Sequence, residues 1–310
     1  NFPDNSITPE QVAEKNRFYR RFRSGDDIVY SGETELVNNI MTHFHTYWNK
    51  VLLQKVPGDQ ALAELIMSAI PYMHENYYKE MGVSMEDLQQ NPVGYLSDLL
   101  LKEGYHSNVG YTASTMDIFL WKDESRETYE VELPEMNVEV QVLFLEEVVG
   151  MGWQEYATLG KYYPGGWATE TELKCPVHKY DVESEYFRVN FIAHEAQHFA
   201  DYKTYPKLQQ IDLEYRAKLA ELSLAQETKD DILSRFLTNN SESREDPHAY
   251  ANHCVIRDLS DLVFEGKQVS DIEKWQAVST ETINAAGKQL LAIHSDQLKK
   301  AGASEVSQLM

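Results

Sequence analysis

Apolar residues recur at four-residue intervals through much of the first third of the chain. The segment 32–54 shows this spacing with Leu36, Ile40, Phe44, Trp48 and Leu52. Side chains four residues apart lie on one face of an α-helix, so the spacing predicts an amphipathic helix. Segments 59–78 and 85–101 continue the pattern, and Asn91-Pro92 marks a turn or a helix start. We therefore predict a mainly helical N-terminal region over residues 1–108.

The pattern changes after about residue 110, where short stretches rich in β-branched and aromatic residues are separated by turn-forming residues. Three predicted strands of this kind are 115–121, 128–133 and 138–145. In the second, the apolar residues alternate with Glu130 and Glu132, which is typical of a strand with one solvent-facing side. A Pro-Gly-Gly loop then precedes a further predicted strand over residues 167–175.

From Glu183 to the end of the chain the spacing is helical again. Helices followed by strands and then by helices favour an α+β fold over an alternating βαβ fold. We expect a small, mostly antiparallel sheet within an α+β region of residues 109–310. This region is either a second domain or continuous with the N-terminal helices.

Composition and charge narrow the classes of function. The 310 residues include 28 Lys and Arg against 50 Asp and Glu, a net charge of −22, which opposes binding to nucleic acid or to anionic membrane surfaces. We expect no transmembrane segment, because the most apolar stretch, residues 138–150, is interrupted by Glu139, Glu146 and Glu147. The start at Asn1 rather than Met favours an exported protein over a cytoplasmic one.

One motif carries recognisable chemistry. Residues 194–198 read His-Glu-Ala-Gln-His within an apolar segment that is predicted to be helical. His194 and His198 stand one turn apart, about 5–6 Å between Cβ atoms, so both imidazoles can hold one Zn²⁺. Glu195 lies about 100° further round the helix, where its carboxylate can handle water without being a ligand. Burial of two His and a Glu is unfavourable unless they are paired or bind an ion, which favours a metal site.

A catalytic zinc commonly has three protein ligands and one open position. The metzincin pattern would place Gly and His at positions 201 and 204, and the chain has Asp201 and Thr204 instead. The other common third ligand is a Glu from the next helix, which is predicted over residues 207–226. Glu214 offers that carboxylate, and Glu221 is its rival seven residues further on.

Residues 183–226 resemble the gluzincin metallopeptidases, in which one helix carries His-Glu-x-x-His and the next carries a Glu ligand. The resemblance implies a zincin-like catalytic region that binds one Zn²⁺ per chain through His194, His198 and Glu214. It also implies that Glu195 is the general base. Glu214 is preferred over Glu221 because the small residue Ala217 beside it allows the two helices to approach each other.

Two further features follow from the resemblance. In thermolysin-like members an Asp four residues after the third ligand orients a histidine, whereas this chain has Lys218 there. The orienting carboxylate must then come from elsewhere, and Asp201, Asp212 and Glu221 are the candidates. A His or Tyr after the third ligand often stabilises the oxyanion in gluzincins, and His248 and Tyr250 are the candidates here.

The implied activity is hydrolysis of peptide bonds by a zinc-bound water from which Glu195 takes a proton. A peptide or protein substrate could add as a strand to a sheet edge, for which residues 166–169 are a candidate. Two alternatives stay open. One is a metal hydrolase that acts on a non-peptide substrate, and the other is a non-catalytic envelope or binding protein in which zinc joins two helices.

Overall fold

The computed structural model describes residues 8–24, 30 and 32–310, and it has a mixed α+β fold, as predicted. The helices that precede the sheet are α1 (Pro9–Tyr19), α2 (Glu35–Leu52), α3 (Gly58–Met73), α4 (Met85–Gln90) and α5 (Pro92–Lys102). The strands are β1 (His106–Thr112), β2 (Thr115–Glu132), β3 (Asn137–Met151), β4 (Trp167–Ala168) and β5 (Leu173–Pro176), and α6 (Gly152–Ala157) lies between β3 and β4. The helices that follow are α7 (His194–Thr204), α8 (Gln210–Leu224), α9 (Lys229–Thr238), α10 (Pro247–Val263), α11 (Ile272–Gln276) and α12 (Thr280–Lys300).

Shorter helical turns flank several of these helices. Three are π-helical, at Arg20–Ser24, His74–Tyr78 and Tyr186–Ala193, and two are 3₁₀ turns, at Val177–Lys179 and Ala303–Glu305. No helix in the described part of the chain is long and apolar enough to cross a lipid bilayer.

The five strands form one sheet in the order β1-β2-β3-β5-β4. The pairs β1–β2 and β4–β5 are antiparallel, whereas β3 and β5 run parallel. Strand β2 is continuous where the sequence predicted two strands, 115–121 and 128–133. The intervening charged residues are mostly exposed, so this part of the strand is extended with its side chains largely in solvent.

The prediction of one continuous strand over residues 167–175 was wrong. The structure has two short strands, β4 and β5, joined by a tight turn. The Oγ1 of Thr169 accepts hydrogen bonds from the backbone amides of Thr171 and Glu172, which closes the turn. Side-chain oxygens that bond to nearby amides compete with sheet pairing, and this local competition is not visible in hydrophobic spacing.

The chain divides into two compact units, residues 1–124 with 146–164 and residues 125–145 with 165–310. The sequence suggested a boundary at residue 108. The boundaries between these two units instead lie within the long strands β2 and β3. In the first unit the predicted apolar face of α2 is buried, with Leu36, Ile40, Phe44 and Trp48 in one core. Thr34 starts this helix by accepting a hydrogen bond from the amide of Val37.

In the second unit, α8 is the central helix, and it packs against α7, α10 and α12. Thirteen of its 15 residues are buried. Close approach of α12 depends on Gly287, because a Cβ there would lie 3.2 Å from the carbonyl oxygen of Leu219 and 2.8 Å from the Oγ of Ser223. A helix buried on all sides leaves its polar residues without water, so each one needs a partner within the protein.

The turn between α8 and α9 is held by one carboxylate. The Oε1 of Glu185 accepts hydrogen bonds from the backbone amides of Gln226, Glu227 and Thr228, and from the Oγ1 of Thr228. These amides precede the first turn of α9, and N–H groups at the start of a helix have no backbone carbonyl within the helix to bond to. Glu185 thereby fixes the start of α9 relative to the π-helical segment that leads into α7.

Candidate metal centre

His194, His198 and Glu214 converge in the second unit, each offering one ligand atom within 4.8 Å of the others. The Nε2 atoms of the two histidines are 3.1 Å apart. The Nε2 of His198 lies 3.3 Å from Oε1 of Glu214, and the Nε2 of His194 lies 3.7 Å from Oε2 of Glu214. The i, i+4 spacing on α7 aligns the imidazoles, and the packing of α8 against α7 brings the carboxylate to them.

Glu221 orients His194. Its Oε1 lies 2.6 Å from Nδ1 of His194, while its Oε2 accepts hydrogen bonds from Arg235 at 2.5 Å and from Asn190 at 3.2 Å. Although burial acts to raise the pKa of Glu221, the charge of Arg235 and the contact with His194 hold it below its usual range. An ionised carboxylate only accepts, so Nδ1 of His194 donates to Glu221, and its Nε2 faces the other two candidate ligands.

Glu214 is held by a different set of contacts. Its Oε2 lies 3.0 Å from the Nζ of Lys218 and 2.9 Å from Nδ1 of His248, and its Oε1 accepts a hydrogen bond of 3.3 Å from Gln210. Burial would raise the pKa of Glu214, but Lys218, His198 and His248 together hold it well below its usual range. Glu214 is therefore ionised, as a metal ligand must be.

His198 is buried and stacks on Tyr202, with ring centroids 6.2 Å apart and 14° between the ring planes. Burial acts to lower the pKa of His198, but its contact with Glu214 and the nearby acidic charges raise it overall. Its Nδ1 has no hydrogen-bond partner among the described residues. The ring is thus fixed by packing on one side, and its Nε2 points to the other two candidate ligands.

The donor set fits a zinc ion. Zinc bonds to His nitrogen and carboxylate oxygen are about 2.0–2.2 Å long, so tetrahedral geometry places neighbouring ligand atoms about 3.3–3.6 Å apart. The three separations of 3.1, 3.3 and 3.7 Å bracket this value. Two imidazoles and one carboxylate are also ligand types that zinc prefers. No other cluster of three or more such side chains occurs in the described part of the chain.

Glu195 lies on α7 beside this cluster and is half-buried. Its carboxylate has no hydrogen bond or ion pair among the described residues, unlike Glu214 and Glu221. The pKa of the Cys175 thiol is raised to about 12, first by burial and second by the negative charge of Glu195. The same charge contributes to the raised pKa of Tyr202. Glu195 is thus an unpaired carboxylate next to the candidate ligands.

The two other candidates for the orienting carboxylate have different partners. Asp201 accepts a hydrogen bond from Nε of Arg216 at 2.8 Å. Asp212 lies 3.0 Å from Nε2 of His294 and also accepts hydrogen bonds from the amides of residues 309 and 310. Of the three candidates, only Glu221 contacts a candidate metal ligand.

The two predicted oxyanion donors lie in different surroundings. His248 is exposed and contacts Glu214, which joins it to the cluster. The hydroxyl of Tyr250 accepts a hydrogen bond of 3.1 Å from Arg244, whose guanidinium also lies over the tyrosine ring. The contacts of His248 therefore favour it over Tyr250 for this role, which stays a prediction for both residues.

The sequence did not predict the cations that hold the two glutamates. Lys218 stands four residues after Glu214, so the i, i+4 spacing could have indicated this pair. Arg235 comes from α9, and no local spacing links it to Glu221. Tyr202 also stands four residues after His198, which could have predicted their stacking.

Strand β4 is the last strand in the order of the sheet and packs against α7. The close packing of the chain at the start of β4 against Phe191 depends on Gly166, which has φ +140°. A Cβ at this position would lie 2.2 Å from the Phe191 ring. The segment proposed for substrate addition therefore lies at a sheet edge beside the helix with the candidate ligands.

Comparison with known proteins finds no matching family model, no matching curated protein and no matching solved structure. The function of this chain is therefore inferred from its own residues.

Proposed function

We propose that this protein is a zinc-dependent metallopeptidase of gluzincin type, with His194, His198 and Glu214 as the ligands and Glu195 as the general base. The observation that carries the proposal is the convergence of two oriented imidazoles and an ionised carboxylate beside a half-buried, unpaired Glu195. A zinc that only joins helices usually has four Cys or His ligands and no carboxylate base beside them.

Zinc held by these three side chains would polarise a water molecule and a substrate carbonyl. Glu195 takes the proton of the attacking water on its carboxylate and delivers it to the nitrogen of the leaving amine. Glu221 keeps hydrogen on Nδ1 of His194, so that Nε2 stays free to bind. In this proposal His248 donates a hydrogen bond to the oxyanion, and its contact with Glu214 from the exposed side of the cluster supports this role.

The sheet edge at β4 supports a peptide as the substrate. An extended peptide can pair with an exposed strand through its main chain, which gives affinity without a fixed side-chain sequence. Strand β4 pairs with β5 through Trp167–Lys174 and Ala168–Leu173, and it has no further strand beyond it in the described sheet. A substrate paired there would lie beside α7.

The test compares wild type with Glu195→Gln, which keeps the size of the side chain and all three ligands. After equilibration with zinc, both proteins should contain near one zinc per chain by elemental analysis. Peptide cleavage, read by mass spectrometry of a peptide library, should fall by about 10²–10⁴ in the variant because the general base is lost. Equal cleavage by both proteins would exclude Glu195 as the base, and absence of zinc from both would exclude the metallopeptidase.

A non-catalytic protein is the second candidate, and one observation favours it. Glu214 and Glu221 are already neutralised by Lys218 and Arg235, so this buried network is balanced in charge without a metal ion. Zinc bound by both proteins with no cleavage of the library, or of ester and amide substrates, would support this second candidate. Cleavage of esters alone would indicate a hydrolase that acts on a non-peptide substrate.

A further inference from the structure

Lys218 is an unusual neighbour for a zinc ligand. Its side chain is buried, with 6% of the residue exposed, and its Nζ lies 3.0 Å from Oε2 of Glu214 and 5.4 Å from the ring centre of Phe236. Glu214 is the one carboxylate within ion-pair distance of Lys218 in the described part of the chain. A buried ammonium needs such a partner because water is not available to solvate it.

The same carboxylate is the candidate third ligand. Its Oε1 faces Nε2 of His198, and its Oε2 faces Lys218 and His248. A divalent ion and the ammonium would therefore share one carboxylate, and two positive charges around one negative charge repel each other. Low polarity around a buried pair strengthens this repulsion compared with the same arrangement at the surface.

We infer that Lys218 is a built-in counter-ion that competes with the metal ion for Glu214 and so keeps metal binding weak and exchangeable. This inference rests on the proposed function, since it concerns the same ligand set. With no metal ion bound, Lys218 stabilises the ionised Glu214 in the core. When a metal ion binds, the positive charge of Lys218 lowers the affinity.

A purely positional role for Lys218 predicts the opposite result. A donor at Oε2 could simply hold the Glu214 carboxylate so that Oε1 faces His198, and loss of that donor would then weaken metal binding. The two roles are separated by Lys218→Gln, which keeps an N–H donor and removes the charge, and by Lys218→Met, which removes both. Lys218→Arg keeps both the charge and the donors.

The matched control is Lys229→Met. Lys229 is also 6% exposed, lies in the same unit, and donates hydrogen bonds to the carbonyl oxygens of Gln276 and Val278 rather than to a candidate ligand. Zinc dissociation constants for wild type and the four variants are measured by competition with a chromophoric chelator. Melting temperatures with and without zinc, and circular dichroism, show that each variant is folded.

We expect Lys218→Gln and Lys218→Met to bind zinc at least about tenfold more tightly than wild type, since removal of one buried charge beside the ligand has an effect of that order. Lys218→Arg and Lys229→Met should bind like wild type. The metal-free Lys218→Met protein should melt at a lower temperature than metal-free wild type. Zinc should raise the melting temperature of this variant more than it raises that of wild type. If Lys218→Met does not fold, Lys218→Gln decides.

Equal or weaker zinc binding by Lys218→Gln would overturn the inference while leaving the proposed function in place. Zinc binding by Lys218→Gln but not by wild type would support the inference and exclude a zinc enzyme in the native chain. Absence of zinc binding from wild type and every variant would overturn both the inference and the proposed function.

Discussion

Buried carboxylates behave differently in the two units of this chain. In the first unit Asp117 is 3% exposed and accepts hydrogen bonds from the amides of Trp153 and Ile118, and burial raises its pKa to about 6. In the second unit Glu214 and Glu221 are equally buried, yet their pKa values are lowered. All three accept hydrogen bonds, and among the described residues only the glutamates have a cation in contact.

The comparison indicates that a contacting cation, rather than hydrogen bonding alone, decides whether the pKa of a buried carboxylate is lowered or raised here. The effect on stability has opposite signs in the two units. A raised carboxyl pKa favours the folded state below its ordinary value, and this stability is lost as the pH rises to about 6 at Asp117. A lowered pKa, as at Glu214 and Glu221, contributes stability above the ordinary value that is lost on acidification.

The largest effect is expected when a buried carboxylate of the second unit loses its cation. Arg216→Met leaves the buried Asp201 without its partner, and we expect the free energy of unfolding to fall by about 3–5 kcal/mol. The double variant Asp201→Leu, Arg216→Met should recover more than half of this loss, because the buried carboxylate is removed together with its cation and the other carboxylate that contacts Arg216, Glu135, is exposed to solvent. Urea unfolding followed by circular dichroism measures both values, and a double variant as unstable as the single one would contradict the explanation.

A smaller effect is expected at Asp117, whose contribution to the free energy of unfolding should no longer depend on pH once its charge is removed. Asp117→Asn keeps an oxygen for the two amides, and we expect its stability relative to wild type to rise by about 2 kcal/mol between pH 4.5 and pH 7.5. Urea unfolding at both pH values tests this expectation. Asp123→Asn is the control, since Asp123 is exposed on the same strand and also accepts from the next amide. An equal change in both variants would contradict the role of burial.

The smallest effect is expected for a cation that contacts a carboxylate at the surface. Arg126 lies 3.5 Å from Glu172 in the second unit, and its side chain is 47% exposed. Arg126→Gln should change the free energy of unfolding by less than about 1 kcal/mol, and by even less in high salt. Urea unfolding at two salt concentrations measures this, and a loss as large as that of Arg216→Met would show that burial is not what distinguishes the pairs.

Local periodicity accounts for what the sequence predicted. The apolar stripe of α2 and the α+β order of elements were confirmed, because both depend on spacing along the chain. The spacing of His194 and His198 likewise places their imidazoles together as soon as the segment is helical. Predictions of this kind need no knowledge of distant contacts.

Long-range packing accounts for most of what the sequence left open. Whether Glu214 or Glu221 faces both imidazoles depends on how α8 packs against α7, and both residues fit the helical spacing. The pairing of Arg235 with Glu221 depends on where α9 lies, which no motif specifies. The continuity of β2 also depends on sheet pairing, which overrides the low strand preference of its charged residues.

Glu185 has a consequence for the rate at which backbone hydrogens exchange with deuterium. Its Oε1 holds three consecutive amides, at Gln226, Glu227 and Thr228, that lie outside the helical hydrogen-bond pattern. Amides in a connecting turn normally exchange within the earliest time points, whereas amides held by an acceptor exchange only when the local structure opens. This turn should therefore retain its protons like the body of a helix, and Glu185→Ala should release all three amides together.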